Sequence, residues 1–150
     1  MVKSNIEKSS NIESNVRIGL NLGKNNWTEN ANEDYVKGIL TFGHLERVDY
    51  LVINISSPNT PNLRQLQNKS ELNELMDRIV KVKNEMKLKK PLLVKIAPDL
   101  NDNQLKDVAN IVNKFASNQS KRGIDGLIVS NTTVDRSDLN SDDKVVAEVG

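Results

Sequence analysis

The chain is 150 residues long, about the size of one folded domain, and is 37 % hydrophobic and 27 % charged, a balance that excludes a wholly disordered polymer. Its 21 basic and 20 acidic residues leave a net charge of +1, so no basic field invites nucleic acid or an anionic membrane surface. The absence of cysteine removes disulfides, thiolate-bound metals and thiol nucleophiles, and the single His44 is too little for a histidine metal site or a Ser–His triad.

Taken in chain order, residues 1–16 show no usable periodicity and are expected to be disordered or loop. Their first fifteen residues lack the apolar centre of a signal peptide, and two glutamates argue against a transit peptide. The first apolar run is IGLNLG (18–23). A weaker helical face follows, with Tyr35, Val36, Ile39 and Phe42, interrupted by Gly38. The second run, YLVINIS (50–56), leads through two serines into a loop with two prolines. Ser70 then reads as the cap of a helix with Glu71 and Glu74 in its first turn and Leu72, Leu75, Met76, Ile79, Val82 and Met86 on one face. Pro91 stops that helix, and LLVKIA (92–97) forms the third run. Asn101 with Gln104 is a capping-box pair, opening a helix whose stripe is Leu105, Val108, Ala109, Val112 and Phe115. The fourth run is GLIVSN (126–131), and residues 134–149 again lack periodicity.

The four runs are nearly continuous in Ile, Leu and Val, as in strands buried on both faces. They begin at residues 18, 50, 92 and 126, spaced as successive βαβ units of a parallel sheet. No stretch reaches the roughly 18 apolar residues of a membrane span. Polar residues gather at the same end of every run: Asn21 and Lys24, then Asn54, Ser56 and Ser57, then Lys95, then Ser130, Asn131 and Thr132. Parallel α/β folds place their sites at the carboxyl ends of the strands, so a site is expected there.

Lys95 interrupts an apolar strand, where an unpaired charge is costly. It is read as facing an anion or developing negative charge, as a snorkelling or carboxylate-paired lysine, or as a Schiff-base nucleophile. Asn54 interrupts its strand in the same way and is either a satisfied core amide or a ligand-binding one. The segment 54–62 is turn chemistry that also fixes Ser57, Asn59 and Thr60 in one rigid loop. Asp99, after Pro98, is assigned to turn or helix-entry chemistry, and His44 to the end of a helix.

The stretches NLGKN (21–25), VINISSPNTPNLRQLQNK (52–69), LLVKIAPDL (92–100) and GLIVSNTT (126–133) together resemble dihydroorotate dehydrogenase, over roughly residues 17–150. The resemblance implies an FMN-dependent (β/α)8 barrel of α/β class, of which this chain supplies strands three to six. It also implies oxidation of dihydroorotate to orotate in pyrimidine biosynthesis. The first two strands, the amino-terminal helices that receive the quinone and attach to the membrane, and the glycine-rich turns for the FMN phosphate have no counterpart here. A serine at position 57, with no cysteine in the chain, matches the quinone-dependent class, which implies the mitochondrial inner membrane in a eukaryote.

By resemblance, Ser57 takes a proton from the substrate while hydride passes to the flavin, with Thr60 as relay. Asn21, Asn54, Lys95 and Ser130 match flavin contacts; Asn54, Asn59, Asn131 and Thr132 match the orotate-binding set. Asn62 stands where relatives commonly have glycine, and asparagine tolerates the left-handed backbone. Ser130 stands where threonine is usual. Two other outcomes remain open on the residues alone: an inactive truncated product, and a Schiff-base barrel aldolase using Lys95.

Overall fold

The computed structural model describes residues 2–9, 15–60, 62–118, 122–137 and 139–140. Its elements run α1 (Val2–Ser9), β1 (Gly19–Leu22), α2 (Ala31–Phe42), β2 (Tyr50–Asn54), a 3-10 turn (Leu63–Gln67), α3 (Lys69–Glu85), β3 (Leu92–Ile96), α4 (Asp102–Lys114) and β4 (Gly126–Val129). The four strands form one sheet in the order β1-β2-β3-β4, every pair parallel. Each neighbour is also next in sequence, and each connection carries a helix, which is the arrangement expected of a segment of an α/β barrel.

Alternation along the strands divides the sheet into two faces. Leu51 and Ile53 of β2 and Leu92, Val94 and Ile96 of β3 are buried in the core with Tyr35 and Ile39 of α2 and Leu72, Leu75, Met76 and Ile79 of α3. Full burial of each such aliphatic side chain stabilises the fold by about 1.5–3 kcal/mol. Val52, Asn54, Leu93 and Lys95 occupy the alternate positions and so share the other face. Two glycines permit close approach: a Cβ at Gly19 would lie 2.1 Å from the Tyr50 ring, and one at Gly38 would meet the Leu22 side chain at 3.0 Å. Gly38 therefore lets α2 approach β1, which is why a helix breaker is tolerated in its middle.

Several local expectations change. Residues 2–9 form a helix instead of loop, with Ile6 seated on the core and a Lys3–Glu7 pair at 3.9 Å one turn apart. Helix α3 begins at Lys69 with Asn68 before it, not at Ser70, whose hydroxyl instead donates to Glu71 at 2.6 Å. The preceding 3-10 turn already winds the chain, so the helix starts without a side-chain cap. Glu74 lies beyond the first turn and accepts from the side-chain Nδ2 of Asn32 at 3.0 Å. In α4 the capping box of Asn101 and Gln104 is present as expected, but the buried stripe is Val108, Ile111 and Phe115, whereas Leu105 and Ala109 are exposed. The face that meets α3 is turned from the sequence stripe toward Ile111. The last turn of α2 is closed by the Gly43 amide on Ile39, while His44 is exposed. Among residues 134–149, positions 138 and 141–149 lie outside the described residues, and the rest have no helix or strand.

The end of the sheet where the strands begin is fixed by charge. Lys83, on α3, is 2 % exposed; its ammonium donates to Asp125 at 2.5 Å and to the Gly123 carbonyl at 2.8 Å. Asp125 also accepts from the Leu92 amide at 2.7 Å. Burial pushes the Asp125 carboxyl up, but bonds from Lys83, Ser117 and the Leu92 amide outweigh it and hold the pKa below its ordinary value. Asp125→Asn leaves the Lys83 cation buried without its anion. The expected cost is roughly 2–4 kcal/mol at pH 7, below the cost for a fully buried pair because Asp125 keeps contact with water. A depressed folded-state pKa contributes stability that is complete above about pH 4 and lost as pH falls through the folded value. Urea denaturation of the two proteins should therefore show their stability gap closing in acid.

Candidate functional site

The opposite end of the sheet, where the strands finish, gathers the polar residues. Register sets Asn21 beside Val52 and Asn54 beside Lys95, with Ile128 on the far side of Lys95. Asn54 and Lys95 are thus adjacent on one face. Both are half-buried, and Asn21 is exposed on the same side. Among the described residues no carboxylate lies within ion-pair distance of Lys95, so the carboxylate-paired reading of this lysine is not met there.

Asn54 turns the chain out of β2. Its Oδ1 accepts from the Ser56 amide at 3.1 Å and from the Ser56 hydroxyl at 2.7 Å, and its backbone carbonyl accepts from the Tyr35 hydroxyl at 2.7 Å. Burial pushes the Tyr35 phenol well above its usual pKa, so it remains a donor. The Asn54 Nδ2 has no partner among the described residues. Ser56 is wholly buried. Asn131, just past β4, donates from Nδ2 to the Ser56 carbonyl at 3.3 Å and to its hydroxyl at 3.2 Å. The Asn131 Oδ1 accepts from the Thr132 amide at 2.8 Å. The loops after β2 and β4 are thereby joined.

Ser57 follows, half-buried, and its Oγ accepts from the Asn59 amide at 3.3 Å. Thr60 is in the same loop, but no hydrogen bond joins it to Ser57 among the described residues, and Pro61 lies outside them. Asn62 adopts φ 59°, the left-handed conformation that asparagine was expected to tolerate there. Ser130 donates to the Asn131 carbonyl at 3.2 Å, and Asn59 and Thr132 are exposed.

A second network lies behind the first. Arg64 donates from Nε to the Ser56 carbonyl at 3.2 Å and from Nη1 to Asp99 at 2.8 Å. Asp99 also accepts from the Thr133 hydroxyl and from the Val134 amide at 3.2 Å. The Thr133 bond, then the Val134 amide and the Arg64 guanidinium, hold the Asp99 carboxyl below its usual pKa against burial. Gln67 is buried and accepts from the Ala97 amide at 2.8 Å. Asp99 is therefore loop chemistry, as its sequence context indicates. The roles of Arg64, Ser56, Gln67 and the Tyr35 hydroxyl were not evident in sequence. The one available signal was a charged arginine between Leu63 and Leu66, in a turn leaving a strand that ends in polar residues.

The face can offer an amine and amides to a ligand rich in oxygen and nitrogen acceptors, with negative charge falling against Lys95. These donors fit the acceptor edge and developing charge of a flavin ring. Among the described residues no three His, Asp or Glu side chains gather as a metal site, and no helix is long and apolar enough to cross a membrane.

A parallel α/β segment with its polar groups at the carboxyl ends of the strands has the arrangement of α/β enzymes, barrels and open sheets alike. A sequence model described as dihydroorotate dehydrogenase matches residues 1–150, and the chain belongs to that family. It is 47 % identical over 134 residues to "Dihydroorotate dehydrogenase (quinone), mitochondrial" of Schizosaccharomyces pombe, which covers 89 % of this chain and 28 % of that protein. The mouse protein of the same name is 45 % identical over 79 % of this chain and 28 % of its own length. The crystal structure of DHODH from Eimeria tenella in complex with ferulenol superposes with a TM-score of 0.82 at 32 % identity, covering 99 % of this chain and 43 % of that one. The chain thus spans less than half the length of each of these relatives.

Ser56→Ala removes a donor to Asn54 and an acceptor for Asn131 in a buried site. It should cost about 1–3 kcal/mol, read as a lowered urea midpoint at unchanged slope.

Proposed function

We propose that the chain is the catalytic-loop portion of a quinone-dependent dihydroorotate dehydrogenase that oxidises dihydroorotate to orotate in de novo UMP synthesis. The observation that carries this reading is the pairing of Asn54 with Lys95 on one face, with Ser57 three residues beyond Asn54, in a chain of this family. In this reading Lys95, Asn21, Asn54 and Ser130 hold FMN, and Asn54, Asn59, Asn131 and Thr132 hold the substrate. When bound, FMN supplies the acceptor for a hydride.

Ser57 removes the proton from C5 of the substrate. A free hydroxyl is a weak base, so two features of the loop matter. The Asn59 amide donates to the Ser57 oxygen, which favours negative charge on it. The hydroxyl proton of Ser57 leaves through Thr60 toward solvent as the C5 proton arrives, so the serine ends neutral. Lys95 places a cation where charge accumulates, with no carboxylate in ion-pair distance among the described residues. The quinone and the membrane engage parts of the enzyme outside this segment, at the mitochondrial inner membrane in a eukaryote.

The test is the flavin absorbance of the full-length protein with and without dihydroorotate; bleaching is expected on addition. Ser57→Ala should slow that bleaching about 10²–10⁴-fold while orotate still binds. A near wild-type rate would remove Ser57 from the role of base. Ser57→Cys should retain partial activity with a lower pH optimum, because a thiol ionises more readily than a hydroxyl.

Lys95→Ala should lower the flavin midpoint potential, since the cation no longer offsets charge on the reduced ring. A potential that stays constant or rises, measured by dye-linked reductive titration, would reduce Lys95 to a packing role.

A further inference from the structure

The carbonyl that Arg64 engages belongs to the peptide linking Ser56 to Ser57. That carbonyl also accepts from Asn131, so two donors from different segments fix the plane of this one peptide. Ser57 hangs from its far side, and the direction of the Ser57 side chain depends on that plane. Arg64 is itself held from behind by Asp99, at 2.8 Å, and Asp99 is engaged by Thr133 and Val134 from the segment after β4. A single carboxylate thus connects the loops that follow β2, β3 and β4. Arg64 suits the position because its guanidinium is a planar fork, able to address a carbonyl and a carboxylate at once in fixed relative orientation. A lysine has no such fork.

We propose that Arg64 and Asp99 are positioning residues for Ser57: Asp99 orients the guanidinium, and the guanidinium orients the Ser56–Ser57 peptide. Neither residue need touch substrate. The inference rests on the reading of Ser57 as the base. It adds that proton removal depends on the segment after β4 being docked, because Thr133 and Val134 complete the anchor for Asp99.

The experiment uses the full-length, flavin-loaded protein and the variants Asp99→Asn and Arg64→Lys. Misplacing a reacting group by about an ångström can cost up to roughly 10²-fold. Flavin reduction by dihydroorotate should therefore slow by roughly 10- to 100-fold in each variant. The KM should change by less than about 3-fold and flavin content should stay constant, as expected for an effect confined to transition-state geometry. The double variant should be no slower than the slower single one, because the two residues act as one unit. Amide hydrogen exchange, which needs no activity, should rise at residues 57–60 and 131–134 while α3 and the strands keep their protection. Thr133→Val, exposed and outside the guanidinium contact, should show the same pattern on a smaller scale, which guards against a variant that simply fails to fold. An unchanged reduction rate in a wild-type background that reacts with dihydroorotate overturns the positioning role alone. A wild-type protein whose flavin does not respond to dihydroorotate overturns the reading of Ser57 first, and the positioning role with it. Loss of flavin in proportion to lost activity would mark the pair as scaffold only and would also overturn the proposal.

Discussion

Ser56 has no contact with solvent, yet it carries a hydroxyl and a carbonyl that must find partners inside the protein. The partners come from three places: Asn54 at the end of its own strand, Asn131 beyond β4 and Arg64 in the 3-10 turn. An unpaired buried polar group costs about 1–3 kcal/mol, so the loops converge on this residue to avoid several such penalties at once. The rigidity of the segment that presents Ser57 follows from this requirement. A loop needed for chemistry is held by polar satisfaction where the apolar core does not reach.

The strands themselves were legible in sequence as nearly unbroken runs of Ile, Leu and Val, although the burial on both faces that such runs suggest is not met in β1 or in β4, where Leu127 and Val129 are exposed. The four runs gave the four strands to within two residues, and their spacing gave the parallel order. Helices were legible where capping chemistry is local, as at Asn101 and Gln104. They were misread where tertiary contact decides the face, as at Leu105 and Ile111. Lys83 is the sharpest case. A lysine in a helix carries no sequence mark of burial, and only the arrival of Asp125, 42 residues later, makes its position tolerable.

The site was legible in part for the same reason. A polar residue inside an apolar run, such as Asn54 or Lys95, announces itself against its neighbours. Arg64 and Asp99 sit in loops where polar residues are ordinary, so their partnership appears only in three dimensions. Asn62 lies between these cases: the left-handed backbone there was implied by the resemblance, in which glycine is usual, and residue chemistry adds only that asparagine adopts it at little cost.

At the end of the sheet where the strands begin, each of the two outer seams is pinned by one side chain. Asp49 accepts from the Ile18 amide at 2.7 Å across β1 and β2. Asp125 accepts from the Leu92 amide across β3 and β4. Each pin joins residues just outside, or at the first position of, the strands it connects, and so acts as a zero mark for the ladder above it. A slip of one residue in any seam would turn every side chain of the displaced strand to the opposite face. Lys95 would then point among the helices, and Asn54 would lose its neighbour. The alignment of groups at one end of the sheet is therefore calibrated at the other, three to five residues away, by the side chains of Asp49 and Asp125.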